Sequence, residues 1–323
     1  GSFGAALQYF TGSKENNVKL RTMGVKAGFK LNEYGLFRRG DDSLVEAEDE
    51  ERIYEALGMD WMPPELRENT GEIEAAMEHR LPKLVELKQV KGDLHVHTDW
   101  SDGTASIREM AEKAKAMGLE YLAICDHTKS LGIARGLDEE RLLEQLREVR
   151  KLNDELDGVR LLAGTECDIL RDGKLDIADE VLGELDWVVA SVHSGFKQDE
   201  ETMTSRVVEA IYNEHVSTIG HPTGRLIEKR IPYTIDLDRV LDAAAEQRVC
   251  MEINCFPDRL DLSDVDSRRA AERGVRLTLG SDAHRDTEME FLGLGVSVAR
   301  RGWLGPGDVV NTLHAEQVLR LRG

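Results

Sequence analysis

The sequence predicts an α/β protein whose main body is a closed (β/α) barrel, preceded by a small α+β segment. Three observations carry that prediction. From residue 92, short apolar runs alternate with amphipathic helices through seven strands. The alternation covers about 230 residues, a length at which a closed barrel is favoured over an open doubly wound sheet. No glycine-rich phosphate loop follows the first strand, as a dinucleotide-binding sheet would require.

The strands are expected at "DLHVHT" (93–98), "YLAICDHT" (121–128), "VRLLAGTECDI" (159–169), "DWVVASVHS" (186–194), "VSTIGHPT" (216–223), "VCMEINCF" (249–256) and "RLTLGSDAH" (276–284). Helices lie between them, as in "SIREMAEKAKAMG", "DEERLLEQLREVRKLNDEL", "TSRVVEAIYNE" and "DLDRVLDAAAEQR". "GLGVSV" (293–298) reads as a turn into a late strand. Ahead of the barrel, residues 3–62 form one unit. Its first part reads as a helix, a turn and a short hairpin, and "LVEAEDEERIYEALGM" as one amphipathic helix. "WMPPELRENTGEIEAAMEHRLPKL" holds three of the seven prolines, so residues 63–91 are expected to be a linker with short helices.

Composition narrows the class. Apolar residues make up 41% and charged residues 32%, which describes a globular chain with ample core. No apolar run reaches the ~18 residues of a membrane span, and no secretory start is present. Gly1-Ser2 reads as a remnant of protease cleavage, with the natural N-terminus missing. Cys125, Cys167, Cys250 and Cys255 form no CxxC pair and sit in apolar runs, so buried reduced thiols in a cytoplasmic protein are expected. The net charge of −20 by itself argues against a nucleic-acid binder. The charge is uneven, however: residues 1–40 carry +5 and the rest −25. A small basic module joined to a strongly acidic one is the better description, and part of that acidity can serve to hold cations.

The chemistry is expected where the strands end. The first strand closes on His95 and His97, with Asp102 beyond it. The second closes on Asp126-His127, the third near Glu166, the fourth on His193, the fifth on His221 and the seventh on Asp282 and His284. Six of the nine histidines thus fall at C-terminal strand ends, which converge on one face of a barrel. Residues two apart on a strand share a face, so His95 and His97 can grip one ion, and Asp282 with His284 repeats the pattern. Imidazole with carboxylate suits zinc, manganese or iron. Glu166 has two oxygens and can bridge two ions, which makes three metals with open positions a plausible partition of nine ligands. His79, His215 and His314 lie outside the pattern and read as ordinary solvated or packed residues. Lys129, Arg135, Arg225 and Arg259 lie in loops on the same face and are candidate phosphate contacts.

In order, "DLHVHTDWSDG", "ICDHT", "GTECDI", "SVHSG", "GHPTG" and "GSDAH" resemble the motifs of the polymerase-and-histidinol-phosphatase (PHP) domain. The resemblance implies a distorted (β/α)7 TIM-like barrel over residues 92–323, with a trinuclear metal site that cleaves phosphoesters. It implies one ion on His95, His97, Glu166 and Asp282, a second on Glu166, His193 and His221, and a third on Asp102, His127 and His284. Glu166, Asp282 and His193 are then expected to carry the catalytic work, with three Mn2+ or Zn2+ ions, iron being an alternative. "LQYFTGSKENNVKLR" with "KAGFKLNEYGLF" resembles the end of the palm and the thumb of a family X DNA polymerase, over residues 3 to about 62. The polymerase carboxylates belong to an upstream palm absent from this sequence, so polymerisation is not expected. Together the resemblances imply a metal-dependent 3′–5′ exonuclease acting on DNA 3′ ends or gapped repair intermediates, cytoplasmic and nucleoid-associated, with no membrane partner. 3′-phosphatase and abasic-site processing are related activities. A small-molecule phosphatase of the histidinol-phosphatase type and a non-catalytic DNA-binding module are the rival readings. An amidohydrolase would commonly place a lysine where Glu166 stands.

Overall fold

The computed structural model describes residues 1–322, which divide into two compact units, Gly1–Lys83 and Leu84 onward.

The first unit opens with α1 (Phe3–Phe10) and α2 (Lys14–Lys26). Ser13 caps α2, its hydroxyl accepting from the Asn16 N–H. An antiparallel meander follows, β1 (Phe29–Asn32), β2 (Gly35–Arg38) and β3 (Leu44–Glu46). Then come α3 (Glu50–Ala56) and α4 (Glu72–Met77). Leu20, Leu31, Leu36, Ile53, Tyr54, Met62, Ile73 and Ala76 meet in one core. Two expectations are corrected here. Residues 44–59 are not a single helix: Leu44–Glu46 pairs with β2. The Glu46 carboxylate accepts from the N–H groups of Ala47, Glu48 and Asp49, and Asp49 then caps α3. Nor is 63–91 a free linker, because Ile73 and Ala76 pack in this core and Val85 and Val90 in that of the second unit. Arg67, also in that stretch, is fully buried, with Nη1 2.7 Å from Glu50 Oε1.

The second unit is the barrel. Its strands are β4 (Gly92–Val96), β5 (Tyr121–Ile124), β6 (Arg160–Asp168), β7 (Trp187–Ser191), β8 (Thr218–Ile219), β9 (Cys250–Asn254) and β10 (Leu277–Gly280). They lie side by side in chain order, and every pairing is parallel. The outer strands β4 and β10 also meet. Val96 bridges to Ala283, the His97 N–H donates to Ala283 O at 2.8 Å, and the Asp282 N–H donates to His95 O at 2.9 Å. The sheet therefore closes through the residues that form the site. Buried Asp93 braces the seam, its Oδ1 accepting from the Ser281 N–H at 3.0 Å.

Helices cover the outside: α5 (Ile107–Ala116), α6 (Glu139–Glu155), α7 (Asp179–Leu182), α8 (Glu200–Ile211), α9 (Leu237–Gln247), α10 (Asp264–Glu272), α11 (Leu292–Arg301) and α12 (Ala315–Leu319). "GLGVSV" belongs to α11 and not to a late strand. Leu292, Val296 and Ala299 recur at helical spacing and are buried on one face. Gly295 lets that face approach the sheet, since a Cβ there would lie 2.1 Å from Cys255 Sγ. Inside the barrel, alternation along each strand separates two zones. Tyr121, Ala123, Leu162, Trp187, Val189 and Cys250 form an apolar floor, closed by Val310 and Val318. Two to four residues further along the same strands the inward positions become Glu166, Ser191 and Glu252, all buried.

Candidate metal centre

Above that floor the strand ends deliver nine ligand-type side chains to one place. His95 and Glu166 lie within strands, whereas His97, His127, His193, His221, Asp282 and His284 follow the last paired residues. The Glu166 carboxylate is at the centre. Its Oε1 is 2.8 Å from His221 Nε2 and 3.2 Å from His193 Nε2. Its Oε2 is 3.4 Å from His95 Nε2, 3.6 Å from His97 Nε2 and 2.9 Å from His127 Nδ1. Asp282 Oδ1 lies 3.1 Å from His97 Nε2. On the outer side Asp102 Oδ1 is 3.3 Å from His284 Nε2, and Oδ2 is 3.7 Å from His127 Nε2. Three sets of donor atoms lie within 4.8 Å of one another: His95, His97 and Asp282; His127, Glu166 and His193; and His97, Asp102, His127 and His284. All three sets differ in membership from the expected partition: Glu166 is missing from the first, His127 stands in place of His221 in the second, and His97 joins the third.

A second layer aims these rings, and the sequence reading did not single it out. His95 Nδ1 is 2.6 Å from Glu252 Oε1, and His193 Nδ1 is 2.8 Å from Asp168 Oδ1. His284 Nδ1 donates to Asp282 O at 2.8 Å. Each contact places the proton on Nδ1 and turns the Nε2 lone pair toward the centre. The available signal was a carboxylate inside an apolar run: Glu252 in "CMEIN" and Asp168 in "ECD". Asp126 is spent locally. Its carboxylate accepts from the Thr98 N–H, the Ser101 hydroxyl and the Gln145 amide, which pins the loop leading to Asp102. Gly280 has no alternative, since a Cβ there would lie 2.3 Å from Glu252 Oε1. Two ligands hold left-handed backbone, His221 at φ 28° and Asp282 at φ 55°. Such strain persists only where the surroundings over-determine it, and it concentrates at functional sites.

The electrostatics are those of a cation site. Burial works against charge on every group, yet the histidine charges hold Glu166 and Asp282 well below the carboxylate range. Asp102 sits at about 2, because against burial the hydrogen bond to His284 and the charges of His127, His97 and His284 act together. Against the same burial, Glu252, Glu166 and Asp282 hold His95 well above the imidazole range. Glu166 lifts His193 to about 10. His97 is pushed down to about 4 by burial and then by His284 and His127. Burial and the Arg259 charge do the same to His221. The donor set fits divalent metals. His95 Nε2 and His97 Nε2 face each other at 3.1 Å. His127 Nδ1 is 2.9 Å from a carboxylate oxygen but outside hydrogen-bond geometry. Ions between these atoms would turn mutual repulsion into shared coordination.

The four candidate phosphate contacts lie in very different settings. Arg259 is at the centre, with Nε 3.4 Å from Asp282 Oδ2 and a buried Nη1 that has no partner. Arg225 is committed to the backbone, donating to Arg259 O at 2.8 Å and to Leu260 O, so it holds the loop that carries Arg259. Lys129 pairs with Glu139 at 2.5 Å on the surface. Arg135 is exposed with φ 57°, and its carbonyl accepts from Arg141. Outside the centre, His79 Nδ1 contacts Asp60 and His314 Nδ1 contacts Glu120, each at 2.7 Å, and His215 is half-buried. All four cysteines are buried and free.

Residues 93–255 match the PHP domain, and residues 6–68 match the DNA polymerase beta thumb. A "DNA polymerase/3′-5′ exonuclease PolX" of Bacillus subtilis is 41% identical over 98% of this chain, which spans 55% of that relative's length. A probable phosphatase of Caldanaerobacter subterraneus is 32% identical over 59% of this chain and 75% of its own. One of Thermoanaerobacter sp. is 31% identical over 68% of this chain and 89% of its own. A solved histidinol phosphate phosphatase from Lactococcus lactis superposes with a TM-score of 0.47 at 21% identity, over 64% of this chain and 94% of that one. The chain belongs to the PHP domain family and carries, ahead of that domain, a segment matching the DNA polymerase beta thumb.

Proposed function

We propose that this chain hydrolyses phosphodiester bonds of DNA from the 3′ end, at a centre holding three divalent ions, Mn2+ or Zn2+ with iron as an alternative. 3′-phosphatase or abasic-site processing would be related activities of the same site. One observation carries the reading: nine imidazole and carboxylate side chains converge around Glu166 at the mouth of the barrel, with the rings aimed by Glu252 and Asp168. Divalent ions held there would polarise the phosphoryl oxygens and bring water toward neutral-pH reactivity. In the reaction the water oxygen bonds to phosphorus and gives up a proton, while the bond from phosphorus to the leaving 3′ oxygen breaks and that oxygen takes up a proton.

The chain's own residues fix that geometry. Glu166 joins the two inner groups of ligands through its two oxygens. Asp282 is held from behind by the Asn254 amide at 3.0 Å and by Arg259. His193, at the mouth, is oriented by Asp168. The free Arg259 Nη1 is a donor for a phosphate oxygen. The thumb-like segment, net basic over residues 1–40, and the B. subtilis relative support DNA as the substrate, and that relative supports upstream polymerase domains as partners in a longer protein. A cytoplasmic, nucleoid-associated setting follows from that reading. Among the described residues no helix is long and apolar enough to cross a membrane.

The phosphatase relatives favour a second reading, hydrolysis of a small phosphomonoester. Turnover of histidinol phosphate against 3′-ended DNA separates the two. Asp282→Asn is expected to abolish manganese-dependent release of nucleotides from 3′-labelled strands. Undiminished activity in that variant would sink the assignment, and release from the 5′ end alone would reverse the polarity.

A further inference from the structure

Beside the metal centre, three side chains form a column that the reading above does not use. The Arg230 guanidinium lies 4.1 Å from the Phe196 ring centroid. Phe196 also lies near-parallel to Tyr233, with centroids 6.3 Å apart and planes 19° apart. Phe196 is three residues beyond His193, and Arg230 Nε donates to the carbonyl of Gly224, three residues beyond His221, at 2.8 Å. The column is therefore tied to two loops that also carry ligands. Tyr233 is fixed in turn, its hydroxyl donating to Pro222 O at 2.6 Å.

Two features set Arg230 apart from most arginines of this acidic chain. Arg239, Arg269, Arg273 and Arg301 are held by carboxylates. Arg230 has no ion pair of that kind, although it is half-buried. It also lies close to a like charge. Burial first, and the Arg259 charge second, lower its pKa below the usual guanidinium value. The loop that carries Arg230 is bonded to the loop that carries Arg259, the Ile227 N–H donating to Asp258 O at 2.6 Å and Arg225 Nε to Arg259 O at 2.8 Å, so two guanidinium groups, one with an unpartnered buried Nη1, make a place for an anion near the metal centre. Phe196 lies under the guanidinium and helps to hold it, while Nε is engaged on the Gly224 carbonyl.

The geometry points to Arg230, held on Phe196, as the subsite for the phosphate next to the one being cut, which gives polynucleotide ends an advantage over small phosphoesters. The inference rests on the phosphodiesterase reading. A phosphate bound at the ions leaves its charge there, and only a chain with a second phosphate can also reach Arg230. A phosphomonoester or an isolated diester cannot.

The test compares the full chain with its Arg230→Gln and Arg230→Lys variants in manganese, on a 3′-labelled oligonucleotide and on bis(p-nitrophenyl) phosphate. Arg230→Gln is expected to lower kcat/KM on the oligonucleotide about tenfold more than on the small diester, chiefly through KM. The salt dependence on the oligonucleotide should become shallower by about one phosphate contact, roughly 0.7 in log–log slope. Arg230→Lys keeps the charge but loses the planar group held on Phe196, and should restore only part of the loss. Equal losses on the two substrates, or no loss on either, overturn the subsite while leaving the phosphodiesterase reading intact. Wild-type protein that cleaves neither substrate overturns the phosphodiesterase reading, and the subsite with it.

Discussion

Glu252 approaches His95 Nδ1 at 2.6 Å through one carboxylate oxygen, and through the other accepts from the His221 N–H at 2.7 Å. One buried carboxylate thus orients a ligand ring and fixes the strained backbone of a second ligand, without itself facing the centre. Replacing it with alanine would leave a buried imidazole N–H and a buried backbone N–H unpaired. Glu252→Ala is expected to weaken metal retention by roughly ten- to hundredfold, read by elemental analysis after dialysis against a graded chelator. Full metal content at wild-type chelator strength would show that Glu252 is a packing residue only. Asp102 gives a cleaner separation. Of the nine candidate ligands it lies within 4 Å only of the outer histidines, His127 and His284, and it is the most exposed of the nine. Asp102→Ala is expected to lose one ion while the others stay, and loss of the whole complement would mean that the ions bind as one unit.

At the scale of elements, the barrel tolerates very short strands because its pairing continues through loop backbone. β8 has two residues, yet the Gly220 N–H still donates to Ala190 O at 3.0 Å and so places His221. A tight fit joins α11 to Cys255, the residue that follows β9. Gly295→Val would drive a branched side chain into Cys255 Sγ, 2.1 Å from where the Cβ must sit. Overpacking of this kind costs about 1–3 kcal/mol, which corresponds to a fall in melting temperature of roughly 2–4 °C per kcal/mol for a domain of this size. Calorimetry that finds Gly295→Val as stable as wild type would mean that α11 can shift outward without penalty.

For the whole molecule, the −20 net charge has a local explanation. Part of it is concentrated where the barrel closes, in Asp93, Glu166, Glu252 and Asp282, all buried. Ligands bound to the folded state alone stabilise it by RT ln(1 + [L]/Kd), about 2.7 kcal/mol per ion at a hundredfold excess over Kd. Because the seam between β4 and β10 runs through His95, His97 and Asp282, metal and barrel closure are coupled. Chelator is therefore expected to lower the melting temperature by several degrees, and added Mn2+ or Zn2+ to restore it. A transition unmoved by chelator would mean that the seam holds without ions.

Much of this was legible in the chain. Alternating apolar runs and amphipathic helices located all seven barrel strands, because a parallel strand buried on both faces must be apolar along its length. Polar residues at the ends of such strands stand out for the same reason, which is why His95, His97, His127, Glu166, His193, His221, Asp282 and His284 could be named from position alone. Other features had no local signature. "GLGVSV" became a helix because Gly295 fits against Cys255, a neighbour 40 positions away in sequence. "LVE" became a strand because β2 offered it an edge. Arg225 and Arg259 look alike in sequence, but one is used up on backbone carbonyls while the other faces the centre with a free nitrogen. The sequence by itself determined which residues are polar at the ends of buried strands. Only the tertiary structure decided which of them lie close enough to share an ion and which arginine remains free, because such contacts join loops separated by up to 187 positions in the chain, as between His97 and His284.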